Sequence, residues 1–456
     1  MKDVLSNVFL MVKRVKKKLE TFLNENHHLK EVTKKGSSTF VFKVLATGAA
    51  FFFNLILANV FGAEVSGEYF LSLTVILVGL IFCKIGLDKS LMRFVAEYVV
   101  KDEISLVRDL YIKSVLLTLV VSTICIALIQ LFADEIAIAF FGKSDLAFYL
   151  QIMSLGLFPA ALTSINAAAL KGLKETTFAA ITDPFLFSVF NVVLIYPLYL
   201  LLGIKGAAYI YVVSQFLAAG ISFFLWGKSF DLFGQKGSMP YRKILNTSLP
   251  LLFVSSMEII IKWTDTVVLG VWVSSADVGI YNIALRIALI TSFILVAVNS
   301  ITAPKFSELY HSGEIKELED LAQNTAALMA ILALPVLLFC LIFPHWILGL
   351  FGNEFIAGTN SVRILAVGQY LNVMMGSVGY LLIMTGYEKT MQYITLFVAF
   401  FNIAINILMV PILGIEGAAF ATMSTLIIMN LLGSIFVFKK IGIIVFPLLK
   451  KTRSYE

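Results

Sequence analysis

Three ionisable residues lie inside an apolar stretch that is long enough to cross a bilayer. Residues 248–270 read SLPLLFVSSMEIIIKWTDTVVLG, and Glu258, Lys262 and Asp265 fall in their middle. At about 100° per residue, these positions share an arc of roughly 60° on one helix face. An ionised side chain at mid-membrane costs roughly 3 kcal/mol, so this face needs a partner helix or a water-filled cavity. The spacing predicts either a polar pathway or a closed charge network that locks helices together.

Two further basic side chains are expected within the membrane. Arg286, in GIYNIALRIALI, has no neutralising neighbour in sequence, so it either meets an anion in a cavity or pairs with Glu258 or Asp265. Lys43 lies four residues into the first apolar span, where it either extends to lipid headgroups or captures an anion at a cavity mouth. A cavity containing Lys43, Lys262 and Arg286 suits a diphosphate, because guanidinium and ammonium donors replace its hydration.

The composition indicates the class of protein. The chain has 456 residues, of which 59% are hydrophobic and only 14% charged, as expected for an all-α polytopic membrane protein. Its three cysteines lie in apolar segments, and the sequence contains no CxxC, HExxH or GxxxxGK[ST] motif. We therefore expect no metal centre, no cofactor and no ATP hydrolysis. The net charge of +6 lies almost wholly in loops and tails, so it reports orientation and not nucleic-acid binding.

Hydropathy predicts twelve transmembrane helices in two six-helix lobes around a central cavity. The lobes are residues 40–227 and 244–438, joined by a cytoplasmic linker at 228–243. A basic amphipathic segment at 1–39 and a basic tail at 439–456 flank them; residues 4–23 form either an interfacial helix or a disordered tail. The predicted spans are 40–61, 69–87, 110–133, 148–170, 178–201, 204–227, 246–270, 279–303, 322–343, 361–386, 390–412 and 417–438.

The distribution of basic residues predicts that both termini are cytoplasmic. With that orientation, 27 Lys and Arg residues lie on the cytoplasmic side, whereas the outer loops hold 2, Lys143 and Lys205. Arg93 and Lys305 occupy matching cytoplasmic helix ends. They are candidate gate residues, with Glu97 and Glu308 as candidate partners, although they also serve as simple orientation signals.

The two halves of the chain repeat each other. GIKGAA at 203–208 recurs as GIEGAA at 414–419, and VSGEYFL at 65–71 matches VGIYNIA at 278–284. Because six spans separate the copies, both halves enter the membrane from the same side and form a parallel repeat. Such halves typically enclose a cavity and rock against each other, which favours a transporter over an enzyme or a scaffold.

Several motifs in this order resemble the polysaccharide-flippase branch of the multidrug/oligosaccharidyl-lipid/polysaccharide (MOP) exporter superfamily. They run along the chain from about residue 38 to 440 and include GAEVSGEYFLS, GLDKSLMRFVAEY, DTVVLG, DVGIYNIALRI, APKFSELYHSGE and GIEGAAFAT. The resemblance implies a V-shaped pair of lobes that flips a polyprenyl-(di)phosphate-linked oligosaccharide across the cell membrane. It also implies a cavity lined by basic residues, here Lys43, Lys262 and Arg286. Members often use a proton or sodium gradient, for which Glu258 and Asp265 are the candidate acids.

Two other functions remain open on sequence alone. A cation-coupled multidrug exporter of the same superfamily would use acids without basic neighbours, and a membrane enzyme of glycan assembly usually carries a large outer loop. The expected partners are the lipid-linked oligosaccharide, membrane lipids and other glycan-assembly proteins.

Overall fold

The protein is an all-helical, multi-pass membrane protein, as its composition predicts. The computed structural model describes residues 27–231, 234 and 237–446, and this part of the chain forms helices and contains no β-strand. Seven described helices are long and apolar enough to cross a bilayer, or nine if each of two bent pairs is counted as one span. The predicted basic helix at 4–23 and the end of the C-terminal tail lie outside the described residues.

The α-helices are numbered in chain order. They are α1 (His27–Lys84), α2 (Leu87–Val100), α3 (Ile104–Asp134), α4 (Leu146–Ser154), α5 (Leu157–Gly172), α6 (Thr176–Ala180), α7 (Leu186–Leu202), α8 (Gly206–Ser229), α9 (Tyr241–Trp272), α10 (Ser275–Leu289), α11 (Phe293–His311), α12 (Ile315–Ile342), α13 (Pro344–Gly349), α14 (Thr359–Met374), α15 (Val378–Met384) and α16 (Glu388–Ile441). A π-helical segment, Glu135–Phe140, extends α3.

Glycines break the longest helical segments. The backbone of α1 leaves helical geometry at Gly62 (φ 76°, ψ −179°), and that of α16 does so at Gly414 (φ 56°, ψ −130°). Gly203, between α7 and α8, has nearly the same conformation (φ 58°, ψ −140°). Glycine reaches positive φ without the steric clash of a Cβ atom. Each break separates two apolar segments that the hydropathy pattern assigns to different transmembrane spans. One long helical segment with such a break therefore corresponds to two predicted spans.

The repeated GIxGAA motif has the same packing in both copies. A Cβ on Gly206 would lie 2.6 Å from the carbonyl oxygen of Leu198, and one on Gly417 would lie 2.4 Å from that of Met409. Leu198 and Met409 are matching positions of the repeat. In each copy, the helix after the break therefore returns directly against the backbone of the helix before it.

The loops and turns that connect the helices form two sets, one at each end of the helices, and we name each end by its charge. The basic face carries the loops near residues 85, 102, 174, 231–240, 313 and 386. The lysine-poor face carries the turns near residues 62, 142, 203, 273, 343–358 and 414.

The apolar core shows where the two halves meet. One large cluster contains residues from both halves, including Tyr69, Phe70, Tyr281 and Phe351, and it lies toward the lysine-poor face. Toward the basic face the core divides. One cluster there is built around α2 and α5 of the first half and includes Ile244 at the start of α9, and another is built around α11, α15 and the last part of α16. The halves therefore share a broad core at the lysine-poor end, whereas at the basic end the start of α9 packs with the first half, where a Cβ on Gly86 would lie 2.3 Å from the carbonyl oxygen of Ser248.

Candidate functional site

Asp265 is a buried carboxylate at the centre of a hydrogen-bond cluster. It is 4% exposed. Its Oδ2 accepts hydrogen bonds from the hydroxyl of Tyr281 at 2.7 Å and from that of Thr422. Its Oδ1 accepts from Nδ2 of Asn406 at 2.7 Å and of Asn402 at 3.4 Å. A buried carboxyl group is tolerated when its oxygens are hydrogen-bonded in this way, so these four donors fix the position of the Asp265 side chain.

Three helices supply the cluster. Asp265 lies on α9 and Tyr281 on α10, while the amides and the threonine come from α16 on either side of its break at Gly414. Asn402 and Asn406 are one helical turn apart, so both amides face Asp265. Asn402 also donates to Thr425 Oγ1 at 3.0 Å, which ties the two parts of α16 together.

The cluster leaves oxygen atoms available for a ligand. The buried Oδ1 atoms of Asn402 and Asn406 have no hydrogen-bond partner among the described residues. Amide and carboxylate oxygens are hard donors of the kind that suits an alkali or alkaline-earth cation, and this cluster contains both. In the described part of the chain, no cluster of three or more His, Cys, Asp and Glu side chains is present, so soft or imidazole-rich metal chemistry has no set of ligands there.

Arg286 lies at the junction of the two halves. Its guanidinium carbon is 4.6 Å from the ring centroid of Phe70, which is on α1 and fully buried. Its Nε is buried and has no hydrogen-bond partner within the described residues. The carboxylate of Asp265 accepts its described hydrogen bonds from neutral groups, so the pairing of Arg286 with Asp265 is not formed in this state. A cation held by a ring face retains N–H donors for an anion.

The other predicted pathway residues lie apart from this cluster. Lys262, less than one turn before Asp265 on α9, is exposed, as is Lys43 on α1. The side chain of Glu258 is not among those that the structure describes. The structure thus brings Asp265 into a buried polar cluster and Arg286 to the junction, while the two lysines remain accessible.

The predicted gate residues are at the basic face. Arg93 is exposed on α2, and Lys305 lies on α11. Lys305 pairs with Glu308 at 2.6 Å, and Glu97 pairs with Lys101 at 2.6 Å. Both pairs are within one helix, so the expected acid partners bind locally in this state.

The sequence reasoning missed several members of the cluster. Tyr281, Phe70 and Thr422 lie in motifs that the sequence analysis quoted, but none of them was singled out as a site residue, and neither were Asn402 and Asn406. Asparagines one turn apart in an apolar span were the available clue, because buried amides need partners.

Comparison with protein-family models decides the family. The model described as polysaccharide biosynthesis protein matches residues 32–310, well over half of the chain. The chain belongs to this family. A second model, MatE, matches residues 250–408. Both matches support membership of the MOP exporter and flippase superfamily, as the motif resemblance predicts.

Individual relatives are distant. The chain is 24% identical over 403 residues to an uncharacterized membrane protein of Methanocaldococcus jannaschii, which covers 83% of this chain and 78% of that protein. It is 27% identical over 161 residues to the probable low-salt glycan biosynthesis flippase Agl15 of Haloferax volcanii, covering 35% of this chain and 34% of the relative. The probable flippase AglR of the same organism is 26% identical over 177 residues, covering 37% and 36%.

Solved structures share the fold of this family member. The lipid II flippase MurJ in an inward closed conformation has a TM-score of 0.72 at 16% identity, covering 88% of this chain and 87% of that one. An inward-facing multidrug resistance MATE transporter has a TM-score of 0.70 at 16% identity, covering 86% and 94%. A MOP transporter from Pyrococcus furiosus has a TM-score of 0.57 at 18% identity, covering 89% and 93%.

Proposed function

We propose that this protein is a flippase that moves a polyprenyl-(di)phosphate-linked oligosaccharide from the cytoplasmic to the outer leaflet for surface polysaccharide synthesis. Its family membership supports the role in glycan synthesis, and the names of the Haloferax relatives support flipping. The reaction makes and breaks no covalent bond, so the protein is a transporter and not an enzyme. Membrane lipids and other glycan-assembly proteins are its proposed partners.

The proposed architecture has twelve spans in two six-helix lobes with both termini in the cytoplasm. Dividing the helical segments at Gly62, Gly203 and Gly414 gives two spans from each, as the hydropathy pattern predicts. The basic face is then cytoplasmic by the positive-inside rule. The divided core at this face supports a cavity that opens toward the cytoplasm.

The observation that carries the proposal is the Arg286 guanidinium at the junction of the halves. Its buried Nε and its contact with the Phe70 ring leave a cationic donor group without an ion pair among the described residues. In the proposed path, the diphosphate enters the cavity near Lys43 and then meets Lys262 and Arg286. The glycan occupies the aqueous space, and the polyprenyl chain stays in lipid between the lobes. Charge-assisted hydrogen bonds to phosphate are the strong ones, so loss of Arg286 removes a large part of the binding.

Ion coupling is proposed at Asp265. The coupling ion is proposed to be sodium, because the cluster offers a carboxylate, a hydroxyl and two amide oxygens that lack donors in the described part of the chain, and these are hard oxygen ligands. A bound cation would supply positive charge that offsets the buried carboxylate. Glu258 remains a second candidate acid.

The deciding experiment is mass spectrometry of lipid-linked intermediates from a strain that lacks this gene. One polyprenyl-diphosphate oligosaccharide should accumulate while its surface polymer disappears. Complementation with Lys262→Ala or Arg286→Ala should reduce surface polymer at least roughly tenfold, the effect of losing a charged hydrogen bond. Arg363→Ala is the matched control, because its Nε donates to the Leu341 carbonyl at 3.3 Å within the second half. Normal polymer in well-expressed Lys262→Ala and Arg286→Ala strains would contradict the assignment.

A cation-coupled multidrug exporter is the second candidate, because a MatE model also matches residues 250–408. It predicts that the deletion strain accumulates no lipid-linked glycan and becomes sensitive to cationic drugs. Resistance should then require Asp265 and Glu258.

A further inference from the structure

The two halves touch backbone to backbone at the lysine-poor face. A Cβ on Gly67 would lie 1.6 Å from the carbonyl oxygen of Ser275, and a Cβ on Gly279 would lie 2.2 Å from that of Ala63. Ala63 and Gly67 of α1 match Ser275 and Gly279 of α10 in the internal repeat. The two contacts are therefore symmetric, and each helix presents a small residue, three intervening residues and a glycine, the pattern that lets membrane helices cross closely.

A lysine of the first half caps a helix of the second half beside this crossing. The Nζ of Lys143 donates to the carbonyl oxygens of Gly270 at 2.6 Å and Val273 at 2.8 Å, at the C-terminal end of α9. The last carbonyls of a helix lack intrahelical donors, and the helix dipole favours a cation there. Burial lowers the pKa of Lys143, against the opposing charges of Glu68 and Asp277, so the contact carries a desolvation cost that favours release.

An acid of the second half caps a helix of the first half in return. Glu354 Oε2 accepts a hydrogen bond from the backbone N–H of Ala63 at 2.9 Å. Ala63 begins the part of α1 that follows the break at Gly62, so the carboxylate lies at a new helix N-terminus. Nearby, Asn59 Nδ2 donates to the Leu350 carbonyl at 2.7 Å. Each half therefore supplies the charged cap that a helix of the other half needs.

We propose that Lys143 and Glu354 form a latch that holds the lysine-poor side closed around the Gly67–Gly279 crossing, and that both caps break when the halves part on this side. The inference rests on the proposed alternating-access function, in which this face is the outer one. The caps satisfy helix ends only while the halves are together. Loss of one cap thus shifts the protein toward the state that is open to the outside.

Labelling of a buried position tests the latch. Cys83, Cys125 and Cys340 are replaced, and Ser66→Cys is introduced because Ser66 is fully buried beside Gly67. A membrane-impermeant maleimide added to intact cells should label this position slowly. With Lys143→Met or Glu354→Leu, which leave the opposite helix end without its cap, labelling should become at least roughly tenfold faster, as expected for losing a hydrogen bond to a charged group.

The matched control is Lys205→Met on the same face. The Lys205 ammonium lies 5.2 Å from the Phe148 ring centroid, within the first half, so its loss should leave labelling slow. Lys143→Arg, which keeps a cation and its donors, should also stay slow. Equal labelling rates in Lys143→Met, Glu354→Leu and Lys205→Met would overturn the latch. If Lys143→Met does not fold, the same comparison is decided by Glu354→Leu, which removes both the charge and the acceptor at an exposed position.

Labelling requires no substrate, so the two proposals fail separately. Fast labelling in the latch variants without lipid-linked glycan in the deletion strain would retain the latch and reject the substrate. Unchanged labelling together with accumulated glycan would reject the latch and retain the flippase.

Discussion

At the scale of single residues, the surroundings of Asp265 and Lys262 show how neighbouring charges acquire different roles. Both lie on α9, less than one turn apart, yet Asp265 is 4% exposed and Lys262 is exposed. The donors around Asp265 come from α10 and α16, whereas the Lys262 side chain is exposed. An acid that is surrounded by neutral donors has no cationic partner of its own, which leaves its carboxylate oxygens for an external cation.

The prediction at this scale concerns sodium. Sodium should raise the thermal unfolding temperature of the detergent-purified protein relative to potassium, because a ligand that binds only the folded state stabilises it. Asp265→Asn should abolish this difference, since it removes the charge and keeps the shape. Asp134→Asn, at an exposed carboxylate near the end of α3, should leave it intact. Equal unfolding temperatures of the parent protein in sodium and potassium would exclude a sodium site.

A second residue-scale prediction concerns Phe70. Phe70→Leu keeps an apolar side chain and removes the ring face that lies 4.6 Å from the Arg286 guanidinium. Loss of a buried cation–π contact of about 2 kcal/mol should weaken transport while leaving substantial activity, because Arg286 itself remains. Surface polymer should therefore lie between the parent and Arg286→Ala levels. Polymer as low as with Arg286→Ala would indicate a packing defect instead.

At the scale of elements, glycine breaks decide how long helical segments turn back. Gly203 and Gly414 share nearly the same positive φ and negative ψ although they are in different halves. Gly206 and Gly417 then allow the returning helix to touch the preceding backbone. The motif therefore specifies the same turn in each half, and each turn fixes the packing of the two apolar segments that it joins.

Alanine substitutions separate the effect of backbone strain from that of packing. A Cβ on Gly203 would meet no atom within 4 Å, so Gly203→Ala should destabilise the protein only through its backbone conformation, by about 1–3 kcal/mol. Gly220, inside α8, also has open space around it. Gly220→Ala should stabilise by up to about 1 kcal/mol, because alanine favours helix. Thermal unfolding of both variants should shift in opposite directions; a shift of the same sign would contradict the assigned turn.

At the scale of the whole molecule, the apolar core sets the direction in which the protein opens. The halves share one large core toward the lysine-poor face, and toward the basic face the core divides into two smaller clusters, one of which joins the start of α9 to the first half. Separating the shared core exposes more apolar surface than moving the two basic-face clusters relative to each other. Rocking about the shared region is therefore the motion that this packing permits.

Spin labels at Arg93→Cys and Lys305→Cys should report this motion in the cysteine-free protein. Their separation should shorten when Lys143→Met releases the lysine-poor side, since closure at one face accompanies opening at the other. Arg93→Cys with Lys174→Cys, both in the first half, should keep a constant separation. Pulsed electron paramagnetic resonance measures the distance between the two labels in each pair. An unchanged 93–305 separation in a variant that labels rapidly at Ser66→Cys would show that the two faces move independently.

The sequence by itself determined the membrane class, the family resemblance and the glycine-marked repeat. These follow from hydropathy, from basic-residue distribution and from local backbone demands, all of which act over short stretches of chain. The sequence also singled out Asp265 and Arg286, because a charge in an apolar span is costly wherever it lies.

Only the tertiary structure decided what those charges touch. The partners of Asp265 are Tyr281, Asn402, Asn406 and Thr422, and three of these lie more than a hundred residues away in sequence. The ring of Phe70 and the caps of Lys143 and Glu354 likewise come from the opposite half of the chain. Helix periodicity gives the face on which a side chain lies, but the direction and distance of a neighbouring helix depend on how all the helices pack.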